Sequence, residues 1–430
     1  MGTAGAASSP DPAEASRTVP VEVAHLRTEK SETFLQADGS LKTVLSSLPL
    51  HYRDGAKGWK KIENELVESK RAGFKWSNKE AGFALDLKED VRDGAVRFAA
   101  GDTAFTLTLE GAAASVGAKR SDTEVGGAKA VVYKNVLEQT DLEYDLLPTG
   151  VKETLVLQRQ GAPHEFVFRL TPAPGKELTL VSRRDGGLDV RTAASAEPVA
   201  VISAPVVNDS ARIEVDDDKG KRSVVVDDLA APGKVRMSSQ RDADGSYRLV
   251  LSIDEAWLRA PERLFPVKLD PTVTTAVDLQ DGYWNMQCAT CVPETVSNAL
   301  VVSKDGTGSY SNGTTQHSSG IVFSLGDIPA GATITSARLD MYQTGCYPGA
   351  CQFFYPENGI GQSGPVELRR FSNAWGSSTP TSALATDSTV LASRWFSMVW
   401  NADQPGWKSW SGANLTGHVQ SVVNGSLANY

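Results

Sequence analysis

Residues 94–111 read "GAVRFAAGDTAFTLTLEG", with apolar and polar side chains taking turns on both sides of Gly101-Asp102. A period of two puts the apolar groups on one face of a pleated strand, whereas a helix needs a period near 3.6. No other feature narrows the fold so far, because the pattern recurs along the chain. In "ETLVLQRQGAPHEFVFRLT", Leu155, Leu157, Phe166, Phe168 and Leu170 hold alternating positions. "ARIEVDDDKGKRSVVVDD" turns at Asp218-Lys219-Gly220, and "QRDADGSYRLVLSID" turns at Asp244-Gly245. Each stretch is expected to form a hairpin. Only "GWKKIENELVESK" (58–70) has a spacing that suits a helix as well as a strand and turn. Many short strands without helices between them predict an all-β chain built as antiparallel β-sandwiches.

At 430 residues the chain exceeds one ordinary domain, and its charge divides it. Residues 275–430 hold 6 of the 43 Lys and Arg, 10 of the 52 Asp and Glu, six of the nine Trp and all four Cys. The change falls at about residue 273, after "FPVKLDPTVTT". It predicts one β-rich domain over 21–273 and a second sandwich over 275–430. Residues 1–20, "MGTAGAASSPDPAEASRTVP", are expected to be a disordered spacer of the kind that follows a signal cleavage site. Together with an even cysteine count, this points to a secreted, extracellular protein. A net charge of −9 argues against nucleic acid or an anionic membrane as partner. No apolar run reaches the ~18 residues of a membrane span. A monomer is expected.

The five histidines (25, 51, 164, 317 and 418) form no i, i+4 pair, and neither H-E-x-x-H, G-x-S-x-G nor a phosphate-cradling glycine loop occurs. His164, beside Glu165, reads as a residue on a strand surface. "DADGS" (242–246) and "VDDDKGK" (215–221) resemble pieces of calcium loops but lack the acid at position 12 of an EF-hand. No cofactor is expected beyond a structural calcium, for which Asp278, Asp281 and Asp340 are the candidates. The chain therefore reads as non-catalytic. The alternative is a polysaccharide-degrading accessory or lyase-type enzyme, because the separation of two catalytic carboxylates is a property of the fold.

Aromatic residues supply the candidate binding site. In "RWFSMVWNADQPGWKSW" (394–410), Trp407 and Trp410 follow Gln404-Pro405-Gly406 and are expected in an exposed loop, where indole faces would stack on sugar rings. Tyr283 and Trp284 are a second exposed candidate pair. Close by stand the cysteines, Cys288-x2-Cys291 and Cys346-x4-Cys351. Two close pairs suit a zinc site, a Cys-x-x-Cys suits a redox dithiol, and a secreted setting suits two disulfides. Disulfides are the reading preferred here. Cross-pairing closes the longer loop and is slightly favoured, but the spacing does not choose among the three connectivities.

"GIVFSLGDIPAGATITSARLDMY" (320–342) resembles the central signature of DNRLRE-type modules through Phe323, Ile328, Pro329, Gly331, Ala332, Ile334, Ala337, Leu339 and Tyr342. "NLTGHVQSVVNGSLANY" (414–430) resembles their closing segment through Thr416, Val419, Val423, Asn424, Gly425, Asn429 and Tyr430. The resemblance implies a jelly-roll-type sandwich akin to carbohydrate-binding modules, with two strands joined at 329–331 and the last strand missing. The first half resembles the N-terminal region of actinobacterial wall-associated Rhs/YD-repeat proteins. "DLEYDLLPTGVKETLVL" (141–157), "VISAPVVNDS" (201–210) and "FPVKLDPTV" (265–273) carry that likeness. Together these resemblances imply a cell-wall-associated module that binds polysaccharide or wall glycan, or that forms the structural N-terminal part of a longer, toxin-like parent with downstream repeats.

Overall fold

The computed structural model describes residues 20–93, 96–121, 129–183, 186–195, 197–210, 212–217, 220–225, 233–275, 281–285, 303–304, 316–343, 364–375, 379–396 and 406–428. Among these, antiparallel strands predominate, and the all-β expectation holds. The largest part is a sandwich of two sheets. One has eight strands, running in space from Val235–Arg241 through Tyr247–Ile253, Glu165–Pro172, Thr103–Leu109, Val96–Ala100, Phe83–Leu87 and Trp76–Glu80 to Glu63–Glu68. The other has ten and includes Lys129–Leu137, Thr140–Leu147, Gly150–Leu157, Val267–Asp270, Thr272–Thr275, Ala200–Ile202 and Leu188–Thr192. Phe98, Phe105 and Phe168 from the first sheet and Leu142, Leu155 and Leu269 from the second belong to one buried cluster, so the sheets pack face to face. Phe83, Phe98 and Phe105 lie ring against ring at 5.3 and 5.6 Å, which favours close packing of neighbouring strands.

Three of the four expected hairpins form. Val96–Ala100 pairs with Thr103–Leu109 across Gly101-Asp102, and Arg212–Asp217 pairs with Gly220–Val225. Val235–Arg241 pairs with Tyr247–Ile253, its turn closed by Asp242 N–H on Ser246 O at 2.8 Å, with Gly245 at φ +84°. A glycine takes that left-handed conformation at no steric cost. The fourth expectation is corrected. Gly150–Leu157 and Glu165–Pro172 belong to different sheets, and the segment between them crosses from one layer to the other. Alternation marks which face of a strand is buried but not which neighbour it pairs with. Residues 58–70 resolve as strands, Trp59–Lys61 and Glu63–Glu68. His164 directly precedes Glu165–Pro172 and lies 3.8 Å from Glu255.

The phrases at 141–157, 201–210 and 265–273 meet in the middle of the ten-stranded sheet. Val267–Asp270 and Thr272–Thr275 both pair with Gly150–Leu157 in one common register, Leu155 opposite Leu269 and Lys152 opposite Thr272, so that Pro271 interrupts a single path. On the other side the same two segments pair with Val206–Asn208 and Ala200–Ile202. Proline has no N–H to give to a ladder. Ser203 spans the break, its N–H donating to Thr272 O at 2.8 Å and its hydroxyl accepting Thr272 N–H at 2.9 Å.

After Thr275 the described strands form smaller sheets. Asp281–Asn285 pairs with Gln316–Ile321, Gly364–Phe371 with Thr386–Phe396, and Arg338–Gln343 with Gly406–Ser411. Two expectations change here. The strands flanking 329–331 do not pair with each other: Gln316–Ile321 and Arg338–Gln343 lie in separate sheets, joined by a 3-10 turn at Leu325–Asp327 and an extended run. The closing segment holds a helix, Ala413–Val423. It ends on Gly425 at φ +72°, with Gly425 N–H on Val422 O at 2.9 Å and Ser426 N–H on Ser421 O at 3.0 Å, the Schellman arrangement. Leu415, Val419, Val422 and Val423 are the i, i+4, i+7, i+8 pattern that marks this helix in the sequence. Residues 1–19 lie outside the described residues.

Gly150 tests the close approach of the returning strand. A Cβ there would stand 2.0 Å from Val273 O and 2.7 Å from Thr274 Cα, both backbone atoms. Gly150→Ala should lower the urea midpoint by the equivalent of about 3 kcal/mol, the upper range for overpacking, while Gly101→Ala, with open space around it but a left-handed φ of +57°, should cost only the roughly 1–2 kcal/mol of that backbone conformation.

Candidate functional site

The strongest chemical anomaly among the described residues sits where the segments 141–157, 201–210 and 265–273 meet. Glu153 lies on Gly150–Leu157 between Tyr144, its cross-strand partner, and Pro271, whose carbonyl accepts its N–H at 3.1 Å. The carboxyl faces the other sheet across a cavity of about 20 Å³, lined by Leu107, Phe168, Leu249 and Leu251 on one side and by Ile202 and Val273 on the other. That space is about the size of a single water. Glu153 is 3% exposed. Burial pushes its pKa up to about 8, the Tyr144 hydroxyl opposes the shift, and the nearby Asp270 charge adds to it. Oε2 and the Tyr144 hydroxyl are both buried without a hydrogen bond of good geometry. The tyrosine is itself driven well above its ordinary value by burial first and by Glu153 second.

A carboxylic acid kept protonated near neutrality is what a general acid requires. Here, however, the opening is too small for any substrate, so in this conformation the group stores instability instead of doing chemistry. Nothing in the sequence pattern singled Glu153 out. The available signal was a charged residue inside the run "VKETLVL", on a strand whose both faces are otherwise buried.

The aromatic candidates separate. Gly406–Ser411 is a strand and not a loop, so its side chains alternate between faces. Trp407 is 65% exposed. Trp410, three positions on, is 5% exposed, and its indole N–H donates to Val366 O at 3.0 Å, which corrects its expected place on a binding surface. A buried indole cannot stack on a sugar. Tyr283 and Trp284 belong to the strand Asp281–Asn285, but their side chains, and that of Asp281, lie outside the described residues. Cys288, Cys291, Cys346, Cys351 and Asp278 also lie outside them. Asp340 is engaged by Arg338 at 2.9 Å and Ser409 at 2.5 Å, and among the described residues it belongs to no group of three or more possible metal ligands.

Residues 332–337 and the helix Ala413–Val423 come together. Gln420, on the helix, accepts Ile334 N–H at 2.7 Å and donates to Ala332 O at 3.0 Å, and Thr416 accepts Ala337 N–H at 3.2 Å. These bonds serve backbone groups that a sheet would otherwise pair, so residues 332–337 run extended without becoming a strand. Beside them is an apolar groove of about 340 Å³ between Leu325, Ile328 and Ala330 and the helix end at Val422, Val423 and Leu427.

Among the described residues no helix is long and apolar enough to cross a membrane. No family model matches the chain, and no solved structure matches it. Three curated proteins are similar over 263 residues, which is 60% of this chain but 10% of each relative. They are the tRNA(Glu)-specific nuclease WapA of Bacillus subtilis subsp. natto, 26% identical, the tRNA nuclease WapA of Bacillus subtilis, 26%, and the tRNA3(Ser)-specific nuclease WapA of Bacillus spizizenii, 25%. The chain thus spans about a tenth of the length of the relatives it matches. Their names overturn two expectations, that the chain is non-catalytic and that nucleic acid is excluded as a partner. The charge argument is weak because a net charge of −9 sums over all 430 residues, and a total charge says nothing of where a local surface of opposite sign could lie.

Two substitutions probe these placements. In the unfolded chain Glu153 ionises near 4.5, and in the folded protein near 8. Between those values the folded state holds a proton that the unfolded state has released, so stability falls as pH rises through the window and levels off above it. Glu153→Gln should therefore change little at pH 4.5 and raise stability progressively up to pH 8, at roughly 1.4 kcal/mol per pH unit. Denaturant unfolding at several pH values would show this, and a pH-independent difference would refute it. Trp410→Ala should cost about 3–5 kcal/mol, whereas Trp407→Ala should stay within about 0.5 kcal/mol, both by thermal unfolding.

Proposed function

We propose that this chain is the folded β-sandwich region of a larger, toxin-type protein that cleaves tRNA. The observation that carries this reading is the 263-residue similarity to three proteins each named as a tRNA nuclease. The sandwich supports a structural share in that task. Its interior is continuous and closed, and its acid with a raised pKa is sealed from any RNA. A rigid body of this kind suits a protein that leaves the cell, resists proteases and presents the rest of its chain. An extracellular, wall-associated setting belongs to the same reading, supported by the resemblance to Rhs/YD-repeat proteins and by cysteines confined to the second half.

The test uses the whole gene product. Incubated with total tRNA, it should produce discrete fragments. Leu155→Asp places a charge in the closed interior and should reduce protease resistance and secreted yield roughly tenfold or more, in line with a core disruption of several kcal/mol, while cleavage per molecule persists. Intact tRNA would overturn the nuclease assignment. Cleavage lost in step with the sandwich would place the RNA chemistry within it and overturn the structural share.

A further inference from the structure

Ahead of the sandwich, a three-stranded sheet brings Val21–Glu22, Ser31–Leu35 and Leu41–Leu45 together, and the short strand His51–Arg53 packs beside it. Glu22 pairs with Phe34, and Glu32 lies two residues along the same strand, so both carboxylates leave the sheet on one face. His51 is anchored over the turn between them: its backbone N–H donates to Glu29 O at 3.0 Å, and its ring Nδ1 lies 2.7 Å from Thr28 O. A carbonyl only accepts, so Nδ1 carries the proton and Nε2 holds the free lone pair. The ring is 1% exposed, and Nε2 is buried with no hydrogen-bond partner. Such an orphaned acceptor is costly unless something fills it. The imidazole, Glu22 and Glu32 offer ligand atoms within 4.8 Å of one another.

We propose that Glu22, Glu32 and His51 form a binding site for a divalent metal ion of the zinc class. One imidazole nitrogen and two carboxylates are a donor set that such ions accept, and an Nδ1–H held by a backbone carbonyl is the usual way of aiming a histidine ligand. Bonds of about 2.0–2.2 Å would bring the three ligand atoms to roughly 3.3 Å apart, a closure within reach of two flexible glutamates. The present neighbours of the carboxylates are Arg27, bidentate on Glu22 at 2.5 and 2.7 Å, and Lys61 at 3.0 Å from Glu32. Both are partly exposed side chains that an ion of higher charge can displace. A bound ion would pin the three-stranded sheet to the His51 strand.

Cobalt(II) is the probe, titrated into the full chain kept reduced. The expected result is the d–d absorption of low-coordinate cobalt, saturating at one ion per chain and displaced by zinc. His51→Gln should weaken binding by more than the roughly 10–100-fold that loss of an outer-shell partner costs. Glu32→Gln, at a strand position open on one side, should do the same while leaving unfolding in chelator unchanged, which guards against a folding defect in the histidine variant. Absence of absorption would overturn the site. So would a spectrum dominated by thiolate-to-cobalt charge transfer and unaffected by either substitution, because the cysteines would then hold the ion.

Discussion

The strand path 267–275 is the constraint on which the sandwich depends. It returns long after Gly150–Leu157 has been laid down and takes the place beside it, with Val206–Asn208 and Ala200–Ile202 on its other flank. Without it the ten-stranded sheet would split into a four-stranded and a three-stranded piece with exposed edges and leave Val206–Asn208 unpaired. The pairing is non-local, so its loop-closure entropy is met only when the whole interior condenses. Its local chemistry reflects that demand. Gly150 leaves room for the Val273 carbonyl, and Ser203 pairs both the N–H and the carbonyl of Thr272 next to Pro271.

The same junction explains the buried Glu153. A strand flanked on both sides and covered on its inner face offers no route to water, so a carboxyl placed there takes up a proton. It lies directly opposite Tyr144, whose hydroxyl opposes the shift. Its effect on the molecule runs through stability and pH, since nothing larger than a water reaches it.

How much was legible depended on the range of the interaction. The hairpins at 96–109, 212–225 and 235–253 were readable because a turn and two alternating runs are contiguous. The crossover after Leu157 was not, since "LVLQRQGAPHEFVF" carries the same alternation whether its strands pair or part. The Pro-Gly pair ahead of Trp407 and Trp410 suggests an exposed loop for both, but a strand puts residues at an odd separation on opposite faces, so Trp407 is exposed and Trp410 is buried. The helix Ala413–Val423 was missed although its apolar spacing was present, because its neighbourhood looked uniformly β. His51 was visible only as one of five scattered histidines. Its meaning comes from Glu22 and Glu32, which reach it through pairing of separate strands.

By itself the sequence determined the class of fold, the turns, the faces that would be buried and the change of character near residue 273, because these follow from the period of apolar residues and from turn chemistry within a few neighbours. Tertiary structure decided which strands are adjacent, which of two tryptophans meets water, that Glu153 is sealed in, and that two glutamates and a histidine converge. Those outcomes depend on the distance between residues far apart in the chain, and backbone hydrogen bonding between strands is blind to the side chains that local pattern records.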